Sequence, residues 1–253
     1  MAQFVLVHGA FSGAWIWEPL RKRLEADGHS VEALDMPGLG DDLTPISECT
    51  LDASAARVCA ALAAGSRPAI VVAHSMGGII ATQAAARCLD RFAALVYVGA
   101  FIPKDGQSLL ALTKLPEGAG DQVQANIVLE GDPPVALMPG AASRKALYDC
   151  CSDEVVAWAI ARQRPQPVAP FATPVSIPAG ALDGLKRYCV LCLQDQAMRP
   201  ALLRRMLVEN PCADVVELDT DHTPQLSMTN ELANALNRFA THALSGAGRS
   251  AAS

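Results

Sequence analysis

One serine lies on a short turn between two segments of different pattern. Residues 73–77 read Ala-His-Ser-Met-Gly, after the apolar run 69–73 and before a helical pattern over 77–88. A serine on a sharp strand-to-helix turn, with small residues two positions to either side, presents its hydroxyl at the edge of a sheet as a nucleophile. The usual first residue is glycine, and Ala73 departs from it by one methyl group. The alternative role for Ser75 is a helix N-cap.

A serine hydroxyl is a poor nucleophile unless an adjacent base accepts its proton. His222 is the candidate base, because it lies in the loop between the last predicted strand and the final predicted helix. A parallel sheet delivers the residues of such loops to its carboxyl edge. His8 follows the first strand at the same edge, and we assign it a structural or oxyanion-loop role. A plain surface loop is the alternative for His222.

The third residue must be a carboxylate that fixes the imidazole tautomer. Asp195 follows the strand 188–193, again at its carboxyl end. The chain order is then Ser75, Asp195, His222, as in hydrolases that carry their serine on a strand-to-helix turn. Asp219 and Asp221 compete by proximity, but side chains of one short loop rarely face each other correctly.

The oxyanion of such a reaction needs two preorganised N–H donors. The residue after the nucleophile, Met76, supplies one of them. The turn after the first strand supplies the other, and we assign it to the N–H of Ala10. Gly9 supports this turn, because a residue without Cβ lets the backbone approach the substrate.

The elements that must position these residues alternate between strand and helix. Strands are predicted over 4–7, 30–35, 69–73, 94–98, 188–193 and 214–218, with helices from Trp17 to Leu24 and over 51–64, 77–88, 199–208 and 225–241. Strands separated by helices form right-handed βαβ units and a parallel sheet, so the fold class is α/β.

The alternation stops between residues 103 and 178, where prolines are frequent and helical patterns remain only at 141–151 and 153–162. A loop of this length without structure is improbable in a compact domain, so we predict a small inserted helical cap. The predicted core is therefore 1–102 and 179–245, the cap 103–178, and 246–253 a flexible tail.

Charge and composition exclude several classes of function. The formal net charge of −6 and the absence of a basic block argue against nucleic-acid binding. No apolar stretch reaches the roughly 18–20 residues of a membrane span. The opening residues lack a basic n-region, so we expect a cytoplasmic protein. Neither a metal site nor a nucleotide-binding glycine loop is visible, so no cofactor is expected.

The eight cysteines lie scattered through predicted helices and strands. For a cytoplasmic protein we expect them to be buried reduced thiols and not a disulfide framework. Cys189 and Cys192 have the spacing of a redox pair, but they lie inside an apolar strand and not at the start of a helix.

Together these residues resemble the α/β-hydrolase superfamily, and within it the plant methylesterase and hydroxynitrile lyase family with its bacterial esterase relatives. The motifs that carry the resemblance are FVLVHGA at 4–10, GAWIW at 13–17, GH at 28–29, VGAFIP at 98–103 and DHTP at 221–224. It covers nearly the whole chain, most specifically residues 4–40, 70–105 and 188–240.

The resemblance implies an α/β-hydrolase fold without a cofactor, with small ester substrates held under the cap. The residues then predict a serine esterase that works through an acyl-enzyme, and leave lactones and thioesters open. The alternatives are a hydroxynitrile lyase and a receptor-like protein with slow turnover. Lyases of this family carry a Lys after the catalytic His and a Thr after the first-strand His. Thr223 and Gly9 occupy these positions here, which favours ester hydrolysis. A homodimer is left open.

Overall fold

Nine strands and ten α-helices are the main elements of the described part of the chain. The computed structural model describes residues 1–245, and the predicted tail 246–253 lies outside them. The strands are β1 Gln3–Val7, β2 Ser30–Leu34, β3 Ala69–His74, β4 Phe92–Val98, β5 Val128–Glu130, β6 Val135–Leu137, β7 Gln166–Pro167, β8 Arg187–Cys192 and β9 Asp214–Leu218. The helices are α1 Glu18–Ala26, α2 Leu51–Ala64, α3 Gly77–Cys88, α4 Leu109–Thr113, α5 Gly140–Leu147, α6 Asp153–Ile160, α7 Ala169–Ala172, α8 Pro200–Glu209, α9 Pro224–Ser227 and α10 Thr229–Leu244.

Six strands form a parallel sheet in the order β2-β1-β3-β4-β8-β9. Every residue of β3 is buried, whereas β2 and β9 at the two edges alternate between more and less exposed positions. This difference explains why β3 contains a continuous apolar run, since a central parallel strand is covered on both faces. The predicted parallel sheet is confirmed.

Helices cover both faces of the sheet. The core on one face contains apolar side chains of α2, α3 and α8, and the core on the other contains those of α1 and α10. Helix α2 has the bounds predicted from its alanine-rich pattern, with the Thr50 hydroxyl accepting a hydrogen bond from the Ala53 N–H at its N-terminus. None of the helices within residues 1–245 has the length and hydropathy to span a bilayer.

The final helix departs from its predicted bounds, because α9 and α10 replace one continuous helix over 225–241. Met228 separates them with a non-helical backbone (φ −139°, ψ 52°). The Ser227 hydroxyl, just before this break, donates to Asp221 Oδ1 in the loop that carries His222. This hydrogen bond attaches the short α9 to the loop of His222.

Segment 103–178, which we call the insertion, contains α4 to α7 and also an antiparallel sheet of β5, β6 and β7. The sequence prediction missed this sheet, because its strands of two or three residues are too short to show alternation. Helix α5 ends at Leu147 and not at Cys151 as predicted. Beyond it the Cys150 N–H donates to Asp221 Oδ2 outside the insertion.

The cysteine prediction was wrong for one pair. Cys59 of α2 and Cys88 at the end of α3 form a disulfide, with a Cα–Cα distance of 6.1 Å. The sequence did not indicate it because 29 residues separate the two, and only the packing of α2 against α3 brings them together. Cys189 and Cys192 are free thiols buried in β8, and burial raises both pKa values well above the ordinary one.

Candidate active site

Ser75 lies on the turn that joins β3 to α3, with a left-handed backbone (φ +55°). A non-glycine residue in this region costs about 1–3 kcal/mol, which the surroundings must offset. The Ser75 N–H donates to Val98 O at 3.3 Å, and the Ser75 carbonyl accepts from the N–H groups of Gly78 and Phe101. These bonds tie the turn to the end of β4, so the serine conformation is fixed by its neighbours.

Two glycines allow the turn to sit so close to β1. A Cβ on Gly77 would lie 2.7 Å from the carbonyl oxygen of Val7, so α3 could not start at this position with a larger residue. A Cβ on Gly9 would lie 2.7 Å from Cβ of Ser75. Gly9 therefore admits the serine turn itself, and its predicted role towards the substrate stays a prediction.

His222 and Asp195 form a buried hydrogen-bonded pair, with 2.7 Å between Nδ1 and Oδ2. The two side chains are 2% and 1% exposed. The other carboxylate oxygen, Oδ1, accepts from the N–H groups of Ala197 and Met198, both at 2.8 Å. Because the carboxylate accepts, Nδ1 carries the proton of the neutral ring and Nε2 is free to act as a base.

The competing carboxylates have other partners. Asp221 accepts from the N–H groups of Thr223 and Cys150, and from the Ser227 hydroxyl. Asp219 accepts from the Gln194 side chain on the exposed side of the loop. The geometry therefore favours Asp195 over both as the partner of the imidazole.

The turn after β1 places Ala10 in the same cavity as Ser75, Met76 and His222. The N–H groups of Ala10 and Met76 donate to no acceptor within residues 1–245, so both are available to a ligand. Two free N–H groups beside a serine are what an oxyanion requires.

The cavity draws its walls from the core and from the insertion. Its apolar lining consists of Ala10, Phe11, Ile16, Met76, Phe101, Leu109, Val123, Leu147, Phe171, Ala197 and Met198. Its polar lining consists of Ser12, His74, Ser75, Thr113, Asp121, Gln124, Tyr148, His222 and Thr223. Within residues 1–245 no group of three or more His, Cys, Asp or Glu side chains is arranged to hold a metal ion.

Residues 4–235 match the family described as "Alpha/beta hydrolase family". The match covers most of the chain, including the serine turn, Asp195 and His222. This chain belongs to the alpha/beta hydrolase family.

Relatives of this alpha/beta hydrolase include plant and bacterial esterases. It is 31% identical to Methylesterase 7 of Arabidopsis thaliana over 241 residues, which cover 91% of this chain and 93% of that protein. It is 29% identical to the carbendazim hydrolyzing esterase of Nocardioides sp. (strain SG-4G), over 93% of this chain and 98% of that one. The solved structure of a pyrethroid hydrolase from Sphingobium faniae JZ-2 aligns with a TM-score of 0.83, at 24% identity over 94% of this chain and 97% of that one, and shows the same fold. The predicted resemblance and fold class are confirmed.

Several contacts around the site of this alpha/beta hydrolase were not visible in the sequence. His74, next to Ser75, donates from Nε2 to the carbonyl oxygen of His222 at 2.8 Å, and so joins the serine turn to the His222 loop. Burial, with repulsion from His222, holds the pKa of His74 well below its ordinary value, so this donor stays neutral. His8 connects the turn after β1 to the segment after β2: it donates from Nδ1 to Gly9 O and accepts at Nε2 from the Met36 N–H.

Gln166 is a further supporting residue, buried in β7 of the insertion. Its Oε1 accepts from the N–H of Phe11, and the Phe11 carbonyl accepts from the Arg164 N–H. Phe11 has a left-handed backbone (φ +63°) directly after Ala10. The insertion therefore holds the turn after β1 in shape through Phe11.

A pH dependence follows from the environment of His222. Burial alone would lower its pKa, but the charge and hydrogen bond of Asp195, with the charges of Asp221 and Asp121, outweigh it and raise the pKa above the ordinary value. A base must be deprotonated, so we expect kcat/KM for an ester to fall on acidification, with the midpoint above that of a free imidazole. A pH profile of kcat/KM measures this midpoint. A midpoint below the pKa of free imidazole would contradict the assignment of His222 as a base paired with a charged Asp195.

Proposed function

We propose that this protein hydrolyses small carboxylic esters through an acyl-enzyme on Ser75. The observation that carries the proposal is the buried Asp195–His222 hydrogen bond, which leaves Nε2 free in a cavity that Ser75 also lines. The relatives named methylesterases and esterases support the same reaction class.

In the first half of the proposed reaction Ser75 Oγ attacks the carbonyl carbon of the ester and its proton passes to His222 Nε2. Asp195 stabilises the imidazolium that forms, and the N–H groups of Ala10 and Met76 stabilise the oxyanion. The intermediate collapses with cleavage of the ester bond, and His222 gives its proton to the departing alcohol.

In the second half a water molecule attacks the acyl-enzyme carbonyl while His222 accepts one of its protons. Collapse of this second intermediate releases the acid, and the proton on His222 returns to Ser75 Oγ. The insertion acts as a cap in this proposal, since α4, α5 and α7 each supply apolar side chains to the cavity. These side chains favour acyl or alcohol groups of apolar character.

Cyanohydrin cleavage is less well supported by the same cavity. Thr223 follows His222, and its hydroxyl donates to the carbonyl oxygen of Leu147 at 2.6 Å. No lysine or arginine lines the cavity within the described residues. A departing cyanide would therefore meet no cation in a poorly solvated space, where charge is costly.

The test compares substrates of the alternative functions. We expect steady turnover of a p-nitrophenyl ester series, and cyanide release from mandelonitrile and acetone cyanohydrin at background level. A burst of one product equivalent without turnover would favour the receptor-like alternative. Cyanide release well above background with negligible ester turnover would overturn the proposed function. Lactones and thioesters of graded acyl length belong to the same screen. The cytoplasmic location and a homodimer stay predictions.

A further inference from the structure

Asp121 lines the cavity of Ser75 and His222, although neither the sequence motifs nor the proposed reaction uses it. It lies in the insertion between α4 and β5 and is only 8% exposed. Its Oδ1 accepts from the N–H groups of Val123 and Gln124, at 2.7 and 3.1 Å, and so fixes the turn that follows.

The second oxygen of this carboxylate has no partner among residues 1–245. Within residues 1–245, Asp121 Oδ2 accepts no hydrogen bond, and no ion pair includes Asp121. A buried carboxylate oxygen without a hydrogen-bond or ion-pair partner is costly, and buried charges are ordinarily paired or belong to functional sites. Oδ2 is therefore an acceptor without a partner on a side chain that lines the cavity.

The other residues that line the cavity determine which groups could pair with this oxygen. Among the described lining residues Asp121 is the one carboxylate, and no lysine or arginine balances it. Most of the surrounding lining side chains are apolar, so its field inside the cavity is weakly screened. A ligand would therefore meet one carboxylate acceptor in a space whose lining is more apolar than polar.

We propose that Asp121 selects among ester substrates, favouring those that carry an ammonium or N–H group on the acyl chain over those that carry a second carboxylate. This inference rests on the proposed esterase function. A donor from the substrate would pair Oδ2 and lower the cost of burying the carboxylate. A substrate carboxylate would meet repulsion there, which also favours departure of the acid product.

The ionisation of Asp121 agrees with this role. Burial raises its pKa to about 6, against the hydrogen bonds from Gln124 and Val123, which lower it. The carboxylate is therefore ionised above neutral pH, where His222 is deprotonated and the proposed reaction runs. A merely structural turn residue would need only Oδ1, and this difference makes the two roles separable.

The variant Asp121→Asn separates them, because asparagine keeps the Oδ1 acceptor of the turn and replaces Oδ2 with an amide donor. Asp42→Asn is the matched control: Asp42 Oδ1 likewise accepts from two backbone N–H groups, those of Gly38 and Thr44, and Asp42 does not line the cavity.

The substrates are methyl esters whose alkylene spacer ends in an ammonium, a methyl or a carboxylate group. The three end groups are compared at the same spacer length, and the comparison is repeated for spacers of graded length. On the alkaline plateau of the pH profile we expect Asp121→Asn to lower the ratio of kcat/KM for the ammonium ester over the methyl-ended ester by about 10- to 100-fold, since an ionised acceptor is lost. The ratio for the carboxylate ester should rise, and Asp42→Asn should leave both ratios unchanged.

A binding measurement keeps the test independent of turnover. Calorimetric titration with n-hexylammonium and with hexanoate should show tighter binding of the cation to the wild-type protein, and loss of that preference in Asp121→Asn. Cation preference that Asp121→Asn abolishes, without hydrolysis of any ester, would overturn the proposed function and leave Asp121 as the group that selects cationic ligands. Ester turnover with ratios that Asp121→Asn does not change, and equal binding of the two ions, would overturn the inference alone.

Discussion

Replacing Ser75 by alanine is expected to lower kcat for ester hydrolysis by about 10⁶, because the members of a catalytic triad act as a unit and fail together. The substitution removes one oxygen atom and keeps Cβ, so we expect the left-handed turn to persist. Steady-state kinetics on a p-nitrophenyl ester measure the loss. Phenylmethylsulfonyl fluoride should add its mass to the peptide that contains Ser75 in the wild-type protein, and to no peptide of the variant.

Ser54→Ala is the matched control for this experiment. Ser54 is a buried serine inside α2, and its hydroxyl donates only to the Thr50 carbonyl of the preceding turn. We expect its kcat to stay at the wild-type value. A Ser75→Ala protein with full esterase activity would remove the proposed mechanism.

The parts of the site that the sequence predicted all share one property: each follows the carboxyl end of a strand. Ser75 follows β3, Asp195 follows β8, and His222 follows β9. The apolar runs of these strands make them visible, and a parallel sheet sends the residues after them to one edge. The sequence could therefore assign these three residues to one site, although they lie far apart in the chain.

The residues that the sequence did not indicate are connected by packing between distant segments. Gln166 reaches Phe11 across 155 positions, and His74 reaches His222 across 148. Neither contact can be predicted from the hydrophobic periodicity of the sequence. Each depends on how the insertion or the loop of His222 packs against the carboxyl edge of the sheet. Asp121 was missed for the same reason: it lies on a turn of the insertion without a motif, and only burial beside the cavity makes it notable.

Hydrogen bonds between distant segments also hold the serine turn and the His222 loop in place. The backbone of His222 is held by His74, which adjoins Ser75, while the carboxylate of Asp195 is held by the start of the segment before α8. Ser75 and His222 are therefore connected through rigid elements on both sides. Such support keeps reacting groups within the narrow tolerance that catalysis needs.

The second large effect is expected from Asp195→Asn, which should lower kcat by about 10⁴. Asparagine can keep the Oδ1 acceptor for the N–H groups of Ala197 and Met198, and its amide nitrogen then faces His222 Nδ1. A donor at that place favours the tautomer with the proton on Nε2, which cannot accept the proton of Ser75. Loss of the negative charge should also move the acidic limb of the pH profile to lower pH, because this charge raises the pKa of His222. Steady-state kinetics across a pH series measure both changes.

Asp221→Asn and Asp219→Asn are the controls, since both remove a carboxylate from the loop that carries His222. Asp221 holds this loop through the Thr223 N–H, the Cys150 N–H and the Ser227 hydroxyl, so its variant should lose thermal stability while kcat falls far less than in Asp195→Asn. Asp219 contacts the exposed side chain of Gln194, and its variant should keep kcat near the wild-type value. If Asp221→Asn reduced kcat more than Asp195→Asn did, and shifted the acidic limb more, then Asp221 and not Asp195 would be the carboxylate that orients the base.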